Sequence, residues 1–146
     1  MATTNAAKLQ LSLGFGGNPR SFPILDGTVP IEGVELTTED VPVGDLFYRQ
    51  LKFQEFDISE MSISSLLILT ALGDSPWVAV PVFATRGFAH ATILVRADAG
   101  IERPKDLVGK RFGVFDFQQT SVVWSRGILQ HEFGVGQEQI EWFIER

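Results

Sequence analysis

Phe53-Gln-Glu-Phe-Asp-Ile-Ser-Glu-Met-Ser-Ile-Ser-Ser-Leu66 reads as a short buried strand running directly into a helix, and that reading decides the fold. Ile58 and Met61 have the character of core residues, while Glu60, Ser62, Ser64 and Ser65 gather where the strand's carboxyl end meets the helix's amino end. Open α/β sheets bind ligands at such joins. Ser62 is placed to cap the helix that follows, Ile63 to about Leu72, whose first turn offers unpaired N–H groups and a positive dipole end to an anion. The plainer reading is that Ser62 does nothing beyond capping, since serine is common at helix starts.

Outward from this stretch, short apolar runs alternate with helical patterns, the rhythm of parallel βαβ units in an α/β protein. Lys8–Leu13 alternates Leu9, Leu11 and Leu13 as a first strand, followed by the loop Gly14-Phe-Gly-Gly-Asn-Pro-Arg20 and a short helix around Phe22–Asp26. Val34–Thr38 predicts a second strand, and Val43, Leu46, Phe47 and Leu51 have the spacing of an amphipathic helix over Val43–Phe53. Trp77–Phe83 and His90–Val95 predict further strands, joined by Ala84-Thr-Arg-Gly-Phe-Ala89. Beyond Arg96, Pro104–Val108 predicts a short helix ending at Gly109, Arg111–Phe115 a strand, Gln119–Phe133 a helix closed by Gly134, and Ile140–Ile144 a last strand.

The 146 residues are 45% hydrophobic and 21% charged, the make-up of one or two small globular domains. A net charge of -6, with twelve scattered Lys and Arg, argues against a nucleic-acid partner, because a phosphate backbone needs a basic face. Cysteine is absent, which excludes disulfides, thiolate metal sites and a Cys nucleophile. Met1-Ala-Thr-Thr-Asn-Ala-Ala-Lys8 lacks the apolar core of a secretory signal, and no later segment is long and apolar enough to span a membrane. The expectation is therefore no membrane partner and a cytoplasmic location, or a periplasmic one for a chain whose leader has been removed.

Known motifs prune further. Gly14-Phe-Gly-Gly-Asn-Pro19 has Pro where a dinucleotide fingerprint needs its third glycine, and no P-loop or Ser-centred nucleophile elbow occurs. His131-Glu132 has no second His at zincin spacing, so no metal site is expected. What remains is a set of polar residues at strand ends and helix starts: Arg20, Glu60 to Ser65, Arg86, His90, and Asp116-Phe-Gln-Gln-Thr-Ser121 with Asp116, Gln118, Thr120 and Ser121. Two arginines and two helix amino ends suit a small dicarboxylate, because guanidinium groups pair bidentately with carboxylates and helix ends add donors. Each has a structural alternative: Arg20 and Arg86 as surface ion-pair partners, His90 as a satisfied core histidine, His131 as a solvated residue at a helix end. Glu60 is harder to dismiss, since a carboxylate in an apolar strand must be paired or hold its proton.

The runs Leu25-Asp-Gly27, Phe53 to Ser65, Pro81-Val-Phe83, Arg86, His90, Asp98-Ala-Gly-Ile101, Asp106-Leu-Val-Gly-Lys110, Gln118, Thr120 and Val123-Trp-Ser-Arg-Gly-Ile-Leu129 resemble the 4,5-dihydroxyphthalate decarboxylase family. The resemblance spans nearly the whole chain. It implies a type 2 periplasmic-binding-protein-like fold of two α/β lobes with a ligand cleft between them, in a family of about twice this length. This chain would then hold lobe one over residues 1–97, a crossover over 98–104 and part of lobe two over 105–146. The implied activity is loss of carbon dioxide from a hydroxylated aromatic dicarboxylate without a cofactor. Ser62, Ser64, Ser65, Arg86, His90 and Thr120 fall on positions that match the pattern. Where the family pattern has Pro-Glu-Tyr this chain has Phe115-Asp-Phe117, and its first loop has Gly16-Gly-Asn-Pro19 in place of an aromatic-Asp pair; both loops are expected to face the cleft.

In the implied chemistry a phenol pushes charge toward the ring carbon that bears the leaving carboxylate, and a general acid protonates that carbon. For that chemistry His90 is expected as the acid, since histidine exchanges a proton near neutral pH, Glu60 or Asp116 as acceptor of the phenol's proton, and Arg86, Arg20 and the Ser62–Ser65 helix start as holders of the neighbouring carboxylate. The competing class is a non-catalytic solute-binding domain for a small anionic or aromatic ligand, since the same groups serve binding alone. A third is a remnant kept for assembly or regulation. Ile140–Ile144, an apolar strand, further predicts a homo-oligomer that buries the Arg111–Arg146 region.

Overall fold

Alternating apolar residues lay down the first strand, β1 (Leu9–Phe15), and β2 (Val34–Asp40) pairs with it in parallel, Leu9 against Val34 through Phe15 against Asp40. β3 is only Ile58–Ser59; it joins the other edge of β1, with Leu13 opposite Ile58, so the sheet order is β2-β1-β3. The computed structural model describes residues 7–144, and so only part of the Met1–Lys8 stretch read for a leader. These residues fall into two units: 7–61 with 82–84, and 62–81 with 85–144.

In the first unit a single turn, α1 (Phe22–Leu25), and the amphipathic α2 (Val43–Phe53) accompany the sheet. Leu46 is wholly buried and packs with Val41, Phe56 and Phe47. Gln50, also buried, holds the chain as it enters β3: its amide nitrogen donates to the Phe56 carbonyl at 2.9 Å, and its amide oxygen accepts the Phe56 N–H at 3.0 Å. Gly14 passes so close to this core that an added Cβ would lie 2.6 Å from the Phe56 ring and 2.8 Å from Leu46. Gly14→Ala is therefore expected to destabilise the chain by roughly 1–3 kcal/mol through overpacking, as read from denaturant unfolding; an unchanged midpoint would contradict this packing.

Polar ties complete the unit. Arg49 bridges Glu39 at 2.6 Å and Glu55 at 2.5 Å, and its hydrogen bonds hold both carboxyls below the usual range. The backbone N–H and hydroxyl of Ser12 do the same for Asp57. Because these folded pKa values are depressed, the stability they contribute is present above the unfolded carboxylate value of about 4 and is lost as pH falls through the folded values. The melting temperature is expected to hold near neutrality and to drop below about pH 4; a flat profile down to pH 2.5, followed by circular dichroism, would contradict it.

In the second unit, α4 (Thr120–Phe133) connects two parallel strands, β4 (Arg111–Val114) and β5 (Glu141–Ile144), with Arg111 opposite Glu141. Leu107, Leu129, Val135 and Ile140 form its core, flanked by Ile93, Ile101, Phe112 and Trp142. Gly134 ends α4 at φ 67°, a left-handed turn that glycine adopts without strain, and Val135 follows it into the core. The remaining α-helix of this unit is α3 (Ile63–Leu72), whose apolar residues are not confined to one face. The helix expected over Pro104–Val108 is a short 3-10 turn, Pro104–Leu107.

Two expected strands do not form. Trp77–Phe83 and His90–Val95 carry the apolar runs of buried parallel strands, yet no ladder reaches them, and Val78 and Leu94 are each 91% exposed. At His90 the backbone turns instead through a 3-10 turn, Ala89–Ala91, where the Thr92 hydroxyl donates to the Ala89 carbonyl at 2.7 Å. A hydroxyl satisfied locally in this way competes with an extended ladder. No described helix is long and apolar enough to cross a membrane.

Candidate functional site

α3 and α4 begin at the same place, and each caps the other. The first turn of any helix leaves N–H groups without a partner in its own chain of bonds. Here the Thr120 N–H donates to Ser62 Oγ at 3.2 Å, and the Ser64 N–H donates to Thr120 Oγ1 at 3.2 Å. Ser62 thus stands at the cap position of α3 as expected, but its hydroxyl accepts from the α4 backbone and makes no cap bond to an N–H of its own helix.

The three hydroxyls close a triangle: 2.9 Å from Ser62 to Thr120, 3.1 Å from Ser62 to Ser64, and 3.2 Å from Ser64 to Thr120. The Ser64 hydroxyl also donates to the Gln118 carbonyl. Ser62 is buried, Ser64 and Thr120 half-buried. Two helix amino ends, each carrying roughly half a positive charge, therefore converge on rotatable hydroxyls, an arrangement able to receive a carboxylate. Ser65 is buried on α3 one residue further on, and Ser121 is exposed on the first turn of α4.

Other predicted residues lie elsewhere. Arg20 is exposed in the first unit, where its Nη1 donates to the Ala84 carbonyl at 2.9 Å. Glu60, half-buried in the same unit, donates its backbone N–H to Gly14 at 3.2 Å, and its carboxylate lies 3.3 Å from the point where a Cβ on Gly16 would sit. In the second unit Arg86 is exposed on the loop before the Ala89–Ala91 turn. Asp116 is half-buried, and its carbonyl accepts the Gln119 N–H at 3.1 Å in the turn that leads into α4.

His90 is about half exposed, with Nε2 at 3.1 Å from both oxygens of Glu132. Glu132 lies twelve residues after Thr120 on α4, which separates the two by about 18 Å along the helix axis. The imidazole and the hydroxyl triangle are thus not brought together. Among the described residues no cluster of three His, Cys, Asp or Glu side chains could hold a metal ion.

Several interacting residues have no local sequence signal. Arg126 lays its guanidinium 3.8 Å over the Phe117 ring and donates to Gln137 Oε1 at 2.8 Å. Phe117 meets Trp142 edge to face at 5.5 Å, and the Trp142 indole N–H donates to the Gln137 carbonyl at 2.8 Å. The ring at the position where the resembling pattern has Tyr is therefore stacked inside the second unit. In the first loop, a Cβ on Gly17 would fall 2.5 Å from an Asp40 oxygen, and the Gly17 N–H donates to Asp40 at 2.7 Å. Close backbone approach explains the glycine there.

No protein-family model matches the chain. Over 136 residues, 93% of its length, it is 44% identical to a 4,5-dihydroxyphthalate decarboxylase of Comamonas testosteroni, of which it covers 41%. Over 135 residues, 92% of its length, it is 41% identical to the 4,5-dihydroxyphthalate decarboxylase of Pseudomonas putida, of which it covers 52%. The chain is similar to 4,5-dihydroxyphthalate decarboxylases. The likeness read from its sequence runs is thereby borne out, and the α/β architecture with parallel sheets agrees with the fold class expected. The chain spans about half the length of the curated relatives it matches.

Proposed function

We propose that this chain takes part in the decarboxylation of a hydroxylated aromatic dicarboxylate of the 4,5-dihydroxyphthalate kind. The observation that carries the proposal is identity of 41–44% to two such decarboxylases across more than nine-tenths of the chain. The hydroxyl triangle supports it chemically: Ser62, Ser64 and Thr120, at two converging helix starts, offer a carboxylate both donors and a favourable field. The finer fold class, type 2 periplasmic-binding-protein-like, and the lobes 1–97 and 105–146 belong to the same proposal. So do a cytoplasmic location and a homo-oligomeric state.

In this reading one carboxylate stays on the hydroxyl triangle, with Arg86 as a further cationic partner, and the other leaves as carbon dioxide. The ring carbon that loses it gains a proton from His90 while Asp116 takes the phenol's proton. The bond from His90 to Glu132 does not lock the imidazole, because an exposed contact of this kind is worth at most about 1 kcal/mol. Chain geometry keeps His90 near the start of α4: Thr92, two residues on and at most about 7 Å away along the backbone, lines one cavity with Gln119 and Ser121.

One observation favours a second reading. His90 sits on Glu132 and not on the hydroxyl triangle, as suits a protein that binds the aromatic acid without turning it over. Titration of the pure chain with 4,5-dihydroxyphthalate, with carbon dioxide followed in parallel, separates the two. Saturable binding with release of carbon dioxide is expected; saturable binding without release would establish the second reading in place of the first.

A further inference from the structure

We propose that the cavity alongside the amino-terminal half of α4 is a seat for the ring of a small, monocyclic, hydroxylated aromatic compound. This rests on the function proposed above and adds to it where the ring lies. The cavity measures about 200 Å³, and its lining includes the rings of Phe112, Phe115 and Trp142 and the polar residues Gln119, Ser121 and Ser125. A dry cavity of about 150 Å³ accepts benzene, so this one has room for a single ring with small substituents.

The chemistry of the walls narrows the ligand. Phe112 and Trp142, with ring centroids 4.9 Å apart and planes inclined at 39°, present aromatic surface of the kind that packs against another ring. The Ser121 and Ser125 hydroxyls and the Gln119 amide supply donors and acceptors for ring hydroxyls. Among the described residues no cationic side chain lines the cavity, so a carboxylate on the same ring is expected to point out of it. A phenol or catechol ring therefore fits the lining better than a compact polyanion.

The cavity is also held in shape before any ligand arrives. Trp142 is fixed by its indole N–H bond to the Gln137 carbonyl at 2.8 Å and by the edge of Phe117, which in turn lies under Arg126. Gln137 ties Arg126 as well, at 2.8 Å, so one residue anchors both ends of the stack. A wall fixed in this way loses little freedom on binding.

The test uses the 146-residue chain with catechol and with 4,5-dihydroxyphthalate as probes, followed by calorimetry and tryptophan fluorescence. Both ligands are expected to bind and to quench the fluorescence, and Trp142→Phe is expected to abolish the quench although Trp77 and Trp124 remain. Ser125→Leu fills the cavity, and Ser121→Phe, at an exposed position, blocks it without touching the core; each is expected to lower affinity for both probes at least tenfold. Wild-type affinity in a folded Ser121→Phe chain would overturn the ring seat, even with carbon dioxide release intact. Cavity-dependent binding of both probes without carbon dioxide release would leave the ring seat standing and overturn the decarboxylase reading.

Discussion

Thr120→Val is expected to lower affinity for 4,5-dihydroxyphthalate between about tenfold and a hundredfold, as befits loss of a hydrogen bond to a charged group, worth about 1.5–3 kcal/mol. The substitution keeps the side chain's shape but removes the oxygen that accepts the Ser64 N–H and meets the Ser62 and Ser64 hydroxyls. The stranded Ser64 N–H adds a stability cost of about 1–3 kcal/mol, visible in denaturant unfolding. Thr120→Ser restores the oxygen and is expected to recover both quantities, which separates the hydroxyl's role from the methyl group's packing. A Thr120→Val chain that binds like the wild type would show that the triangle is only a mutual cap between α3 and α4.

His90→Gln is expected to leave ligand binding within about threefold and to cut turnover by about 10²–10⁴-fold, the usual contribution of a positioned general acid. Stability should change by less than about 1 kcal/mol, because the bond to Glu132 is exposed. Glu132→Gln, which breaks the same pair but keeps the imidazole, should retain turnover. Equal losses in both variants would mean that the pair acts by placing the Ala89–Ala91 turn. Full turnover in His90→Gln would move the acid role to another group.

Elements whose signals are local were legible. α2 and α3 run over the residues their patterns mark, Val43–Phe53 and Ile63–Leu72; α2 is announced by apolar spacing and α3 by Ser62 before it, while Gly73, at φ 76°, closes it in the structure. β1 is marked by its alternating leucines and β2 by its apolar run, and the structure pairs them in parallel. The apolar runs at Trp77–Phe83 and His90–Val95 state only that a residue suits a buried strand; a strand also needs a partner at hydrogen-bonding distance, which composition does not encode.

The site was legible to the same depth. Ser62 and Thr120 were each marked by a helix start, but their reciprocal capping joins residues 58 apart in the chain and depends on the fold. His90 and Glu132 meet across 42 residues for the same reason. Gln50 gave no warning at all: on the amphipathic pattern it is an ordinary polar residue of α2, and only the strand entry at Phe56 makes it a buried clamp.

Proton-for-carboxylate exchange at a ring carbon is read directly by isotope incorporation. With 4,5-dihydroxyphthalate in heavy water, the chain is expected to yield one carbon dioxide per dihydroxybenzoate formed, with a single deuterium at the carbon that lost its carboxylate, as seen by mass spectrometry and proton NMR. Recovery of unchanged substrate at ligand concentrations that saturate binding would contradict it.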